Sequence, residues 1–248
     1  KFLDMAIRSR LHRLGLVPLL ANMGLQSHAI RLGTPSTVVL HPAALYPQTR
    51  IRGGSTLLMQ APSAVAEAGP TEKFRSDYKP FPYLVNSVHL NFDVHEEETL
   101  VTAYLSIERS HDTEVGTPLE LDGEDLTLLD GTVKLDGTVL VHGVDYRVSS
   151  EGLTLLQPPT SSFTLSSTVS IQPHKNTQLS GLYQSSGNLC TQCEAEGFRR
   201  ITYFPDRPDV MSTYSVRIEA DKASFPLLLS NGNEVSKGEA AAGRHWAE

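Results

Sequence analysis

From Tyr83 onward apolar and polar residues alternate with a period of two, a pattern that one face of a helix cannot present. Val88, Leu90, Phe92 and Val94 alternate with Ser87, His89, Asn91, Asp93 and His95. An extended chain with that pattern has one apolar side and one polar side. The alternation returns in Val101, Ala103, Leu105 and Ile107, in Phe163, Leu165, Val169 and Ile171 with Ser167 as an interruption, and in Val216, Ile218 and Ala220. Asp122-Gly123, Asp130-Gly131, Asp136-Gly137 and Glu151-Gly152 punctuate these runs. Asp136-Gly137, flanked by Leu135 and Val139, predicts a two-residue hairpin, because glycine accepts the positive φ of a type I′ turn. Many short half-buried strands joined by turns predict an all-β domain of antiparallel sandwich type.

The segment before this domain has a different composition. Of the chain's 21 basic and 28 acidic residues, residues 1–70 hold seven Lys/Arg and only two acids, Asp4 and Glu67. They mix with Ser, Thr, Ala, Leu and the scattered Pro18, Pro35, Pro42, Pro47 and Pro62, without sustained strand alternation. That composition fits an organelle transit peptide or a largely unstructured extension, which predicts a chloroplast or mitochondrial destination with the cytoplasm as alternative. Residues 2–20 are the candidate for an amphipathic helix, and Arg8, Arg10, His12 and Arg13 within them exclude a membrane span. The whole chain carries a net charge of -7 and has no Lys/Arg cluster interleaved with aromatics, so nucleic acid is not an expected partner. At 40% hydrophobic and 20% charged residues, the chain can build a core.

Residues 181–209, GLYQSSGNLCTQCEAEGFRRITYFPDRPD, break the sheet alternation. This stretch resembles the signature of the first domain of the bacterial-type aminopeptidase N family. The resemblance continues through Tyr78-Lys79-Pro80, Leu121-Asp122-Gly123-Glu124-Asp125-Leu126, Ala220-Asp221-Lys222, residues 225–233 and Gly243-Arg244-His245-Trp246, and it covers residues 71–248. It implies a saddle-shaped antiparallel β-sandwich-like domain packed against a thermolysin-like catalytic domain, with a Gln-x-Glu turn lining the place where a substrate's N-terminus docks. Here that turn is Gln192-Cys193-Glu194. By resemblance Glu194 accepts hydrogen bonds from the free α-ammonium group and Gln192 shapes the pocket for the first side chain. The implied partners are peptide substrates with a free N-terminus and the chain's own downstream catalytic domain. The implied cofactor is zinc in the full-length enzyme.

The chemistry of that assignment is sound on its own terms. An α-amino group has a pKa of roughly 7.7–8.0 and is mostly protonated at neutral pH, so a fixed carboxylate selects a chain end over an internal peptide bond. The zinc ligands are expected elsewhere. H-E-x-x-H places two histidines one helical turn apart with a glutamate base between them. No such motif occurs in this sequence, where His95-Glu96-Glu97-Glu98 continues with Thr99. The family's G-A-M-E-N motif is also absent. The chain alone is therefore expected to hold no catalytic or metal-ligating residues, to be inactive, and to end before the domain is complete, which leaves a sheet edge unpaired.

Two rivals come from other classes. A non-catalytic β-sandwich binding or scaffold module accommodates the same alternation. Cys190 and Cys193, spaced C-x-x-C, raise a redox motif, but nothing around them supplies the βαβ setting such a motif needs. Both thiols are read as small buried packing residues. In Asp206-Arg207-Pro208-Asp209, Pro208 is placed to open a helical turn with Asp206 near its N-terminus.

Overall fold

A computed structural model describes residues 6–8, 72 and 74–248. The chain divides into two compact units, one of residues 1–13 and 78–248 and one of residues 14–77. Of the second unit only residues 72 and 74–77 are described, with Arg75–Asp77 as one turn of 3-10 helix. The transit-peptide and organelle reading therefore falls almost wholly outside the described residues.

The first unit is all-β. Its strands are β1 (Ala6–Arg8), β2 (Tyr83–Val94), β3 (Thr99–Arg109), β4 (Leu119–Asp122), β5 (Thr127–Leu128), β6 (Lys134–Leu135), β7 (Thr138–Val139) and β8 (Tyr146–Val148). They continue with β9 (Gly152–Leu155), β10 (Phe163–Ile171), β11 (Gly181–Ser185), β12 (Asn188–Gln192), β13 (Thr213–Asp221), β14 (Leu227–Leu229), β15 (Lys237–Glu239) and β16 (Arg244–Ala247). Nine of them form one sheet in the order β15-β16-β13-β2-β3-β10-β6-β7, with β5 also on β10. The order β4-β9-β8 makes a second sheet and β11-β12-β1-β14 a third.

The alternation read from the sequence is the burial pattern of the sheet. Val88, Leu90, Phe92 and Val94 on β2, and Val101, Ala103, Leu105 and Ile107 on β3, all bury into one core with Leu119, Leu153, Ile201 and Ile218. Ser167, the interruption on β10, also points inward, where it pairs with Ala103 on β3. Two small residues meet there, so the core loses volume but not its face. The register of β2 against β3 shifts between Val85 and Ser87, leaving Asn86 as an extra residue. Such a bulge lets Val85 and Val88 both face inward although they are three apart.

Asp136 and Gly137 join β6 to β7 with φ of 48° and 83°, as a type I′ hairpin requires. Gly137→Ala is expected to lower unfolding free energy by about 1 kcal/mol, the cost of a left-handed conformation for a residue with a Cβ. Chemical denaturation checks this, and an unchanged midpoint would contradict the turn assignment.

Two local expectations are corrected. The sheet is not purely antiparallel, because β13 runs parallel to β2 in the register Thr213↔Ser87 to Glu219↔Asp93. The long connection between them permits a crossover, whereas a tight hairpin would have forced antiparallel pairing. Within the candidate helix of residues 2–20, Ala6–Arg8 forms strand β1. Its backbone groups are claimed by β12 and β14 on either side, which an isolated helix of this composition does not outweigh.

Candidate functional site

β12 ends at Gln192, and the chain turns at once. Gly197 N–H donates to Cys193 O at 2.9 Å, and a 3-10 turn follows at Phe198–Arg200. Gly197 makes the return possible, since a Cβ there would overlap Gln192 O and lie 2.8 Å from Cys193 Cα and 3.0 Å from Gly181 N. Gly181 opposite has φ of 76°, and a Cβ on it would meet Arg200 Cβ at 2.7 Å. These glycines are thus fixed by close backbone approach. The Glu194-Ala195 peptide bond within the turn is cis.

Gln192 and Glu194 are both exposed at this turn. Gln192 Nε2 lies 3.4 Å from Glu194 O, to which it donates. Among the described residues the Glu194 carboxylate enters no ion pair. Other acids pair with the two arginines that follow it. Glu196 Oε1 lies 3.8 Å from Arg199, Asp125 Oδ2 lies 2.6 Å from Arg200, and Glu124 contacts the same guanidinium.

The turn is held from behind by two adjacent arginines. Arg199 N–H and Nε donate to Asp206 Oδ2 at 3.0 and 3.3 Å, and its Nη2 donates to Asp206 O at 3.1 Å. Asp206 N–H in turn donates to Asp122 Oδ2 at 2.8 Å. Asp122 and Phe204 exchange backbone hydrogen bonds of 2.9 and 3.1 Å, and Glu124 N–H donates to Arg199 O at 3.0 Å. Gly123 lies against the Tyr203 ring, which any Cβ at that position would strike. The Leu121–Leu126 motif and the residues after Glu194 are therefore one structure. Sequence reading placed them side by side without joining them. The complementary doublets Glu124-Asp125 and Arg199-Arg200 were the available signal.

The 206–209 segment departs from expectation. It forms no helical turn opened by Pro208. Asp206 spends its carboxylate on Arg199, and Val210 N–H closes a simple turn onto Arg207 O at 3.2 Å. Arg207 binds Asp209 through both Nε and Nη2, at 2.9 and 2.7 Å, and donates to Lys79 O at 2.8 Å. Tyr78 Oη donates to Asp209 Oδ2 at 2.9 Å, so the Tyr78-Lys79-Pro80 motif docks on this turn. Of the two thiols, Cys193 is buried, Cys190 is only half-buried, and no disulfide joins them.

Burial shifts one of the two aspartates and an arginine shifts the other, in opposite directions. Asp206 is 6% exposed, and desolvation raises its pKa above the ordinary 3.8 despite the opposing hydrogen bonds from Arg199. Asp209 is held below 3.8, chiefly by its hydrogen bonds from Arg207. The signs differ. The cost of ionised Asp206 is present above its folded pKa and is relieved as pH falls through it, whereas the Asp209 contribution is present above 3.8 and is lost as pH falls through its lowered value. Carboxyl-carbon NMR titration is expected to find Asp206 titrating above 3.8 and Asp209 below it. The reverse order would contradict this account of the burial.

Among the described residues no group of three His, Cys, Asp or Glu converges as a metal site, so these residues do not fit a zinc ion. Nor is any described helix long and apolar enough to cross a membrane.

The Leu121–Leu126 motif thus meets the residues after Glu194, and comparison with known proteins agrees with the fold. The model of the peptidase M1 N-terminal domain matches residues 85–248. Aminopeptidase N of Caulobacter vibrioides is 51% identical over 173 residues, covering 70% of this chain and 19% of that protein. Aminopeptidase N of Escherichia coli is 43% identical over 183 residues, covering 72% and 20%. Among solved structures, aminopeptidase A of Legionella pneumophila in complex with aspartic acid superposes with a TM-score of 0.64 at 33% identity, covering 69% of this chain and 20% of that one. The chain spans about a fifth of the length of the relatives it matches. These relatives are bacterial, which lends the organelle reading no support and is compatible with the cytoplasmic alternative. With the family model matched over residues 85–248, this chain belongs to the peptidase M1 N-terminal domain family.

Proposed function

We propose that this chain is the substrate-anchoring domain of a zinc aminopeptidase, with Glu194 receiving the α-ammonium group of a peptide and Gln192 bordering the space for its first side chain. The observation that carries the reading is the contrast at the turn. Glu194 is exposed and without an ion pair among the described residues, while Glu124, Asp125, Glu196 and Asp206 around it are each engaged by an arginine. An acid presented on a braced turn is poised to bind a cation, because the turn need not reorganise when the cation arrives. The names of the relatives support a peptide N-terminus as that cation.

In this reading the domain comprises residues 71–248, and zinc with its ligands belongs to the catalytic domain that follows in the complete protein. The domain's own part is positioning. Held at Glu194, the ammonium group fixes the first peptide bond at one distance from the catalytic centre, so residues leave one at a time from the end. The purified 248-residue chain is expected to release no N-terminal residue from peptides and to hold no stoichiometric zinc. Chelator-sensitive release by this chain alone would overturn the division of labour.

A further inference from the structure

A cleft of about 530 Å³, a size usual for small-molecule sites, opens where the end of β10, the 172–178 connection and Arg200 meet. Gln192 and Glu194 do not border it. Its charged lining is mixed, with Glu98 and Asp125 against Lys175 and Arg200. The Arg200 side chain is only 8% exposed, and its guanidinium is taken by Asp125 and Glu124. Asp125 spends Oδ2 on it, and Glu98 spends Oε2 on the Ser170 hydroxyl at 2.6 Å. Each carboxylate keeps a second oxygen that accepts no hydrogen bond among the described residues. Lys175 enters no ion pair among the described residues, and Gln172 and Gln178 bring side-chain amides to the same cleft.

This mixture selects against a ligand of single sign. A plain anion drawn to Lys175 meets Glu98 and Asp125, and a plain cation drawn to those carboxylates meets Lys175. A small molecule with one charge of each sign finds a partner at both ends, so complementarity favours it over either. We propose that the cleft binds a free α-amino acid, with its ammonium group on Glu98 and Asp125 and its carboxylate on Lys175. The pairing of Asp125 with Arg200 holds one wall in place before the ligand arrives. Asn176 Nδ2 holds another by donating to Ser180 O at 2.7 Å and to Leu182 O at 2.9 Å. Arg200 N–H donates to Gly197 O at 3.1 Å, so the cleft shares a wall with the turn that presents Glu194. Binding in the cleft does not rest on the function proposed for that turn. In an aminopeptidase the ligand would be of the class that its own reaction releases.

NMR titration of the isotope-labelled 248-residue chain with L-alanine tests the site, beside ethylamine and propionate, each of which carries one of the two charged groups. L-alanine is expected to shift the amides of Glu98, Thr127, 170–172 and 174–178 saturably, with a Kd on the order of 1 mM. Ethylamine and propionate should bind about tenfold more weakly or not at all, and Glu98→Gln and Lys175→Ala should each weaken L-alanine by about tenfold or more, as loss of a hydrogen bond to a charged group does. Glu98 and Lys175 are exposed, so neither substitution disturbs the core, and unchanged amides along β3 verify this. Glu194→Ala should leave the shifts at the cleft intact, which separates this site from an ammonium group held at the turn. Absence of saturable shifts at the cleft, equal binding of either single-charge analogue, or binding that neither cleft substitution weakens would overturn the proposal. Loss of the same shifts in Glu194→Ala would assign the ligand to the turn and overturn it as well.

Discussion

In a complete protein carrying this domain, Glu194→Ala is expected to lower kcat/KM on peptides with a free N-terminus by about 30-fold to a few thousandfold. The range follows from the pair it removes. Where bound substrate and the following domain exclude water from Glu194, truncating one partner of that hydrogen-bonded charge pair costs roughly 2–5 kcal/mol, much of it the penalty for leaving the other charge unmatched, and each 1.4 kcal/mol is about tenfold. Glu196→Ala is the control. Its carboxylate side chain is 70% exposed and lies 3.8 Å from Arg199, a surface pair whose loss changes little, about 0.5 kcal/mol or less. Bound zinc should be unaltered in both variants. Equal small effects at the two positions would remove the anchor assignment, and loss of zinc from Glu194→Ala would mean that the substitution acts through misfolding.

The second large effect is expected at Gly197, which binds nothing. Its φ of -92° and ψ of -14° suit any residue, so Gly197→Ala acts by steric overlap alone. The atoms in the way are backbone: Gln192 O, Cys193 Cα at 2.8 Å and Gly181 N at 3.0 Å. Backbone cannot swing aside as a side chain does, so the turn must open. Forcing a methyl group into packed space costs roughly 1–3 kcal/mol, and here the shift falls on the residues flanking Glu194. Denaturation of the 248-residue chain should show that loss, and the complete protein should lose kcat/KM as well. A variant with wild-type stability would show that the turn is looser than its contacts indicate.

The sequence was most informative where structure is local. Val88 to Val94 and Val101 to Ile107 revealed their buried face, because side-chain direction in a strand follows from position alone. Asp136-Gly137 revealed its hairpin, because few other residues accept the two positive φ angles. Pairings between distant segments were not legible. From its neighbours Asp206 reads as lying near the N-terminus of a helical turn opened by Pro208, yet its environment is set by Asp122, far back in the chain, and by Arg199. Likewise the parallel β13–β2 pair and the pairing of Ala6–Arg8 with β12 and β14 join segments far apart in the chain. The resemblance singles out Gln192 and Glu194 as candidates. The network of Arg199, Arg200, Asp122, Glu124 and Asp206 that braces them emerged only with the fold.

The central claim is that Glu194 pairs with a substrate ammonium group, and a thermodynamic cycle isolates that contact. In the complete protein, kcat/KM would be measured for a peptide substrate and for its des-amino analogue, with wild-type enzyme and with Glu194→Ala. The account predicts that removing the ammonium costs wild-type enzyme at least about tenfold more than it costs the variant, a coupling of about 1.4 kcal/mol or more. Equal losses in both enzymes, and hence no coupling, would contradict it.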